Sequence, residues 1–327
     1  MLNPFDADGF KTLSLTAAIN NLPYKPMQVA EMGIFQEAGI ATVDTAIEFD
    51  GNTIGLVSVQ PRNASGQPVT NDKRKLVSLR VPHMPQRATI LADEVQGVRA
   101  FGSESNMQAL QSVINQRLAK MRTQIDYTIE AHRIAAIKGS YYDAGGNSKS
   151  LFTEFGVSQQ TIQMKLDTAG TEVQGTALDI LTQIETELAG TFYTGAVALC
   201  GSSFWKKFIT HPKVKETYFN TSMAASLRQD PREMVDINGI TFMRYRGTAS
   251  CAIDSTLAYV IPMGVPDLFL TRFAPAPYVE TVNTLGLPYY AKSEPMEFGK
   301  GVQLESQSNA LNICTRPNAI IKLVENT

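Results

Sequence analysis

Three histidines (His83, His132, His211) and three cysteines (Cys200, Cys251, Cys314) are the side chains of this 327-residue chain best suited to metal binding, proton transfer or nucleophilic attack. None stands at a spacing that such chemistry uses. A metal site built on Cys and His needs close pairs such as C-x-x-C, H-x-x-x-H or H-E-x-x-H, and the chain has none. Each cysteine lies among apolar neighbours, the setting of a buried free thiol. An odd number of distant cysteines favours a reducing, cytoplasmic site of synthesis over a disulfide-forming route. His132 follows Ile129 by one helical step, which reads as a partly buried hydrogen-bonding residue and not as a base or ligand. The glycine-bearing stretch DAGGNSKS (143–150) fails as a phosphate loop, because Ser148 stands where Gly must precede Lys149. Ser202 and Ser203 follow Gly201, but the G-x-S-x-G elbow is absent. Asp44, Glu48 and Asp50 lie in a strand and turn where solvation accounts for them, and no Gly-rich dinucleotide pattern exists. The chemistry-bearing residues therefore name no catalytic residue, metal or cofactor. They favour a structural or interaction protein over an enzyme.

Charge is the chemistry that remains. The net charge is -2, with 18% charged and 43% hydrophobic residues. A dedicated nucleic-acid binder carries a clustered basic excess, which is missing. No segment has signal-peptide order or approaches the ~18 apolar residues of a membrane span. The one basic cluster is Lys73, Arg74 and Lys75, with Arg62 upstream. It reads as a solvated loop, or as a contact with acidic groups on another subunit.

The element that must organise the chain is a long helix across Ser103–Gly139. Met107, Leu110, Ile114, Leu118, Met121, Ile125 and Ile129 recur in steps of three and four, drawing one apolar stripe. Gln108, Gln116, Lys120, Gln124 and Glu130 are expected on the wet face. Ser103 suits the N-cap, and Gly139 suits the left-handed C-terminal position. At ~1.5 Å per residue the rod is roughly 50 Å long. Ahead of it, residues 1–35 form an arm punctuated by Pro and Gly, with Leu13–Ile19 as its only short helix. The arm is too apolar for a free tail, so it packs on its own body or a neighbour. VDTAIEF, TIGLVSVQPR and LVSLRVPHMP read as strands of a long hairpin with the basic cluster at its tip. A hairpin alone is marginal in water and must lean on a partner. After the long helix, LFTEFGV (151–157) reads as a short strand. Residues 174–190 read as a second helix with Leu178, Leu181, Ile184, Glu185 and Leu188 on one face. Residues 191–275 then alternate β-rich runs and turns as an α+β unit, and alternation in VQLES and LNIC suggests long strands near the C-terminus.

LVSLRVPHMPQRATILADEVQGVRAFGSE (76–104), AHRIAAIKG (131–139), YVETVNTLGLPYYAK (278–292) and ICTRPNAIIKL (313–323) resemble, in this order, the major capsid protein E family of lambda-like tailed bacteriophages. The resemblance implies the tailed-phage major capsid fold, an α+β architecture with a long spine helix on a peripheral-domain sheet, a separate axial domain and extended N-arm and E-loop. It places the arm at 1–35, the E-loop at 43–88, the peripheral domain at 89–190 with spine helix 104–138, the axial domain at 191–277 and returning peripheral strands at 278–327. It also implies self-assembly into hexamers and pentamers, with scaffold, portal and decoration proteins as partners. The shell encloses double-stranded DNA without sequence-specific binding, expands on maturation, and is built in the host cytoplasm without a membrane step. The rival readings are an encapsulin-like shell around protein cargo and a cytoplasmic enzyme of unrecognised chemistry.

Overall fold

In the computed structural model, residues 12–22, 27–49, 75–95, 106–220, 234–247 and 251–326 are described. Thr12–Asn21 (α1) and Gln28–Glu31 (α2) precede Phe35–Gly39 (β1). Asp44–Phe49 (β2) and Lys75–Arg80 (β3) pair antiparallel as a two-stranded ribbon, with Asp44 opposite Arg80. The segment TIGLVSVQPR, expected as a strand of this hairpin, lies outside the described residues. LVSLRVPHMP does not run as one strand. It breaks at Val81-Pro82-His83, where proline has no N–H for a ladder bond. Met84–Leu91 (β4) then enters another sheet, followed by the short helix Ala92–Val95 (α3).

The long helix is Asn106–Ile137 (α4). It stops where expected: the Gly139 amide donates to Ala136 O and Gly139 takes φ +77. A Cβ there would stand 2.1 Å from the Phe152 ring, so both conformation and space demand glycine. Ser140–Tyr142 (β5) and Ser148–Ser150 (β6) make a small ribbon. The expected strand LFTEFGV is instead the helix Leu151–Phe155 (α5). Ser150 accepts from the Thr153 amide, Gly156 closes the other end at φ +73, and these caps outweigh the β-favouring aromatics.

Thr161–Gln163 (β7) and Val173–Leu188 (α6) follow. The helix buries Val173, Ala177, Ile180, Ile184 and Leu188 and leaves Leu178 56% exposed. Ile184 and Leu188 lie on the core face as expected and Leu181 packs at its edge, whereas Leu178 and Glu185 point to solvent; Val173, Ala177 and Ile180 complete the buried face instead. Gly195–Cys200 (β8), Ser202–Thr210 (α7), Pro212–Asn220 (α8), Met234–Ile237 (β9), Ile240–Arg244 (β10) and Leu257–Met263 (β11) continue the chain. Phe269–Phe273 (β12), Tyr290–Pro295 (β13), Gly301–Ser308 (β14), Ala310–Cys314 (β15) and Ile321–Val324 (β16) complete it.

The strands form a six-stranded sheet, β7-β16-β11-β8-β10-β9, and two three-stranded sheets, β1-β12-β15 and β13-β14-β4. The six-stranded sheet draws on both sides of residues 190 and 278, since β7 and β16 both belong to it. Two cores result. One surrounds the six-stranded sheet, with Phe204, Phe208, Phe242, Ile261 and Leu323 buried beside Ile134 and Ile137 from the end of α4. The other joins Ile114, Leu118, Met121, Ile125 and Ile129 to Leu15, Ile19, Ile90, Phe273, Tyr289, Ala291, Leu304 and Ala310. The long helix therefore bridges two cores. The three cysteines are buried and free, and burial pushes the Cys314 thiol up to about 12.

Candidate functional site

The apolar stripe has a charged neighbour. Arg122, Asp126 and Glu130 each follow a stripe residue (Met121, Ile125, Ile129) by one position, and Arg133 continues the row. A one-residue step turns a helix by roughly 100°, so this row lies beside the stripe on a face that is also covered. All four side chains are buried. Glu130, expected on the wet face, is 1% exposed. Isolated buried charge is costly, so each needs partners.

The N-terminal arm supplies them. Arg122 Nη1 donates to Ile19 O at 2.6 Å, Asn20 O at 3.2 Å and Leu22 O at 2.6 Å. These carbonyls lie at the end of α1, where helical partners run out and the dipole is negative. The guanidinium also sits 4.6 Å over the Tyr289 ring. Eight residues along, the Glu130 carboxylate accepts from the Val29 amide at 2.8 Å and the Ala30 amide at 3.1 Å, the opening amides of α2. Tyr245 Oη approaches it at 3.5 Å. One cation thus holds the carbonyl end of the first arm helix, and one anion holds the amide end of the second.

Two further contacts fix the clamp to the sheets. Tyr289 Oη donates to Asp126, and Arg133 pairs with Glu37 of β1 while lying 5.3 Å from the Phe35 ring centre. Thr16 Oγ1 donates to Ala291 O and accepts from its amide, each at 3.2 Å. Burial pushes both carboxyls up, against the opposing pull of Tyr289 and Arg122 on Asp126 and of the arm amides on Glu130. Their ionised forms are therefore disfavoured on folding. Stability from these two groups falls as pH rises through the interval above their ordinary values.

His132 contributes the opposite slope. Its ring stacks on Tyr142 with centroids 4.4 Å apart, and burial lowers its pKa to about 4. From pH 6.5 down to about 4 the unfolded chain binds a proton that the folded chain refuses, so stability is lost across that window, by at most about 3 kcal/mol. His132→Phe keeps the stack and removes the proton. Thermal melts between pH 7 and 4 should show a flatter acid loss for this variant; an unchanged slope would contradict the assignment. His83 Nδ1 lies 2.8 Å from Asn309 Oδ1, and His211 is buried with Nε2 3.1 Å from Thr168 O and Nδ1 accepting from the Lys213 amide. The histidines are pinned to three separate places. Among the described residues no group of His, Cys, Asp or Glu could hold a metal, and no helix is long and apolar enough to cross a membrane.

The expected site residues are unevenly placed. Ile114, Leu118, Met121, Ile125 and Ile129 converge in one core. Met107 and Leu110 lie on α4, but their side chains fall outside the described residues, as does that of Lys75 at the start of β3. Arg62, Lys73 and Arg74 lie outside them altogether. The charged row was missed, although its spacing of four, four and three repeats that of the stripe beside it.

The arm is thus clamped along a helix that bridges two cores, and the β2–β3 ribbon packs Ile47, Val77 and Leu79 into the first of them. A putative capsid protein of an E. coli CFT073 prophage has the same fold, with TM-score 0.61 at 15% identity over 96% of this chain and 99% of that one. The family described as phage major capsid protein E matches residues 11–324, and the chain belongs to it. Major capsid proteins of Salmonella phage Felix O1 and Pseudomonas phage KPP10 are similar at 24% and 27% identity. They cover 98% and 89% of this chain and 98% and 91% of their own length. Further solved structures of this fold come from assembled phage capsids. The protein is a structural subunit of a tailed-phage head, not an enzyme. These findings favour the phage shell over the cargo-shell and enzyme readings.

Proposed function

We propose that this chain assembles into hexamers and pentamers that tile an icosahedral head around double-stranded DNA. The observation that carries this reading is the match of the capsid family to residues 11–324, with an N-terminal arm spread along α4. In the shell, residues 1–35 serve as arm, 43–88 as E-loop, 89–190 as peripheral domain, 191–277 as axial domain and 278–327 as returning peripheral strands. Arg62, Lys73, Arg74 and Lys75 meet acidic groups of an adjacent subunit. Assembly takes place in the host cytoplasm with scaffold, portal and decoration proteins. A net charge of -2 suits a wall that must not grip its DNA. On maturation the shell expands, with α4 and the E-loop rotating against the axial domain.

Negative-stain microscopy of the expressed protein should show closed particles. A chain that stays monomeric under every assembly condition and turns over a metabolite would overturn the reading. Cryo-electron microscopy of unexpanded and expanded heads should show two subunit shapes; identical shapes would sink the rotation.

A further inference from the structure

The connection between β12 and β13 has a surface at odds with its rigidity. In residues 278–288, Val279 is 90% exposed, Val282 64%, Leu285 68% and Leu287 44%. A loop that shows its large apolar side chains to water is usually loosely held, and this one is not. Thr281 Oγ1 donates to Ala276 O at 2.7 Å, and Thr284 Oγ1 to Thr281 O at 2.8 Å. The Gly286 amide donates to Ile40 O, and the Leu287 amide to Tyr290 Oη, both at 2.9 Å. A Cβ on Gly286 would stand 2.0 Å from Phe273 O, and one on Gly39 2.3 Å from Gly286 O. The loop is therefore clamped between the ends of β1 and β12. Its apolar residues are held outward by the fold.

The chemistry of the patch limits what can cover it. Glu280 is the only charged residue in 278–288, and Lys292 neutralises it at 2.9 Å while lying 5.1 Å from the Tyr278 ring centre. A patch with no free cation does not hold a phosphate backbone. Contiguous exposed apolar patches mark interaction sites, and a standard interface takes about 800 Å² per partner. A shell subunit is surrounded by copies of itself, so a surface present on every subunit recurs at every contact of one kind.

We propose that residues 279–287 are a contact surface for a second copy of this chain in the shell. The proposal rests on the shell-building reading above. The test uses two arms. The first is the double variant Val279→Asp with Leu285→Asp; both sites are exposed, so the melting temperature of the unassembled chain should move by no more than about 2 °C. Particle yield by sedimentation should fall at least tenfold. The second places a photo-crosslinking benzoylphenylalanine at Val282 in otherwise unaltered chain, within purified heads. Illumination should give a band at twice the chain mass on a denaturing gel. Wild-type particle yield from the double variant overturns the proposal. So does a crosslink that leaves the chain monomeric or joins it to a different protein. Failure of the unaltered chain to form any particle would instead count against the shell-building reading itself.

Discussion

Leu118→Asp should yield no folded, shell-competent protein. Leu118 is 1% exposed at the middle of the second core, packed among Ile114, Met121, Ile90 and Leu304. Removing a buried leucine side chain costs about 2–5 kcal/mol. A carboxylate placed there lies among apolar side chains, and the cation one turn on, Arg122, is already engaged by the carbonyls of Ile19, Asn20 and Leu22, so the charge adds several kcal/mol more or forces the group to stay protonated. The total rivals the whole stability of a typical domain, about 5–15 kcal/mol. Gln116→Asp puts the same carboxylate two residues away on an exposed position, and should change stability by about 0.5 kcal/mol or less. Expression, circular dichroism and electron microscopy of the pair decide the matter. Equal particle yields from both variants would mean that the faces of α4 are wrongly assigned.

The second large effect concerns the clamp. Glu130→Ala removes the acceptor for two amides of α2 and opens space beside Tyr245. Breaking one side of a buried, hydrogen-bonded charge site costs about 3–5 kcal/mol. Glu130→Gln keeps the shape and one acceptor oxygen, and so should lose less. The loss should also be local. Limited proteolysis should cut the Ala variant within residues 27–31 far faster than the parent, while α1, tied by Arg122 and packed in the second core, stays protected. Uniform cleavage throughout both proteins would show that the arm is not held by this carboxylate.

How much of this could be read from residues alone depended on the range of the signal. The stripe from Ile114 to Ile129 was legible because five large apolar residues keep one period over many turns. Glu130 was not, because a glutamate beside such a stripe is usually wet, and only the arm, a hundred residues earlier in the chain, reverses that. LFTEFGV misled because its aromatics favour strand, whereas its fate turns on Ser150 and Gly156 at its ends. Leu178 misled because the core face of α6 is marked by alanine and valine as well as by leucine. The entry of β16 beside β11 and β7 has no local signature at all. It follows from packing between segments that lie far apart in sequence.

That distance has a consequence for how the subunit is made. Thr16 bonds to Ala291, and the core that holds Leu15 and Ile19 also needs Leu304 and Ala310. The other core waits for Ile321 and Leu323 in the last strand. A chain emerging from the ribosome can wind α4 early, but it cannot complete the second core before Ala310 or the first before Leu323 has been added. Termination before Ala310 therefore leaves a product with neither core finished. A copy cut short before Leu304 lacks part of both cores, so α1 and the six-stranded sheet are left without the strands they pack on.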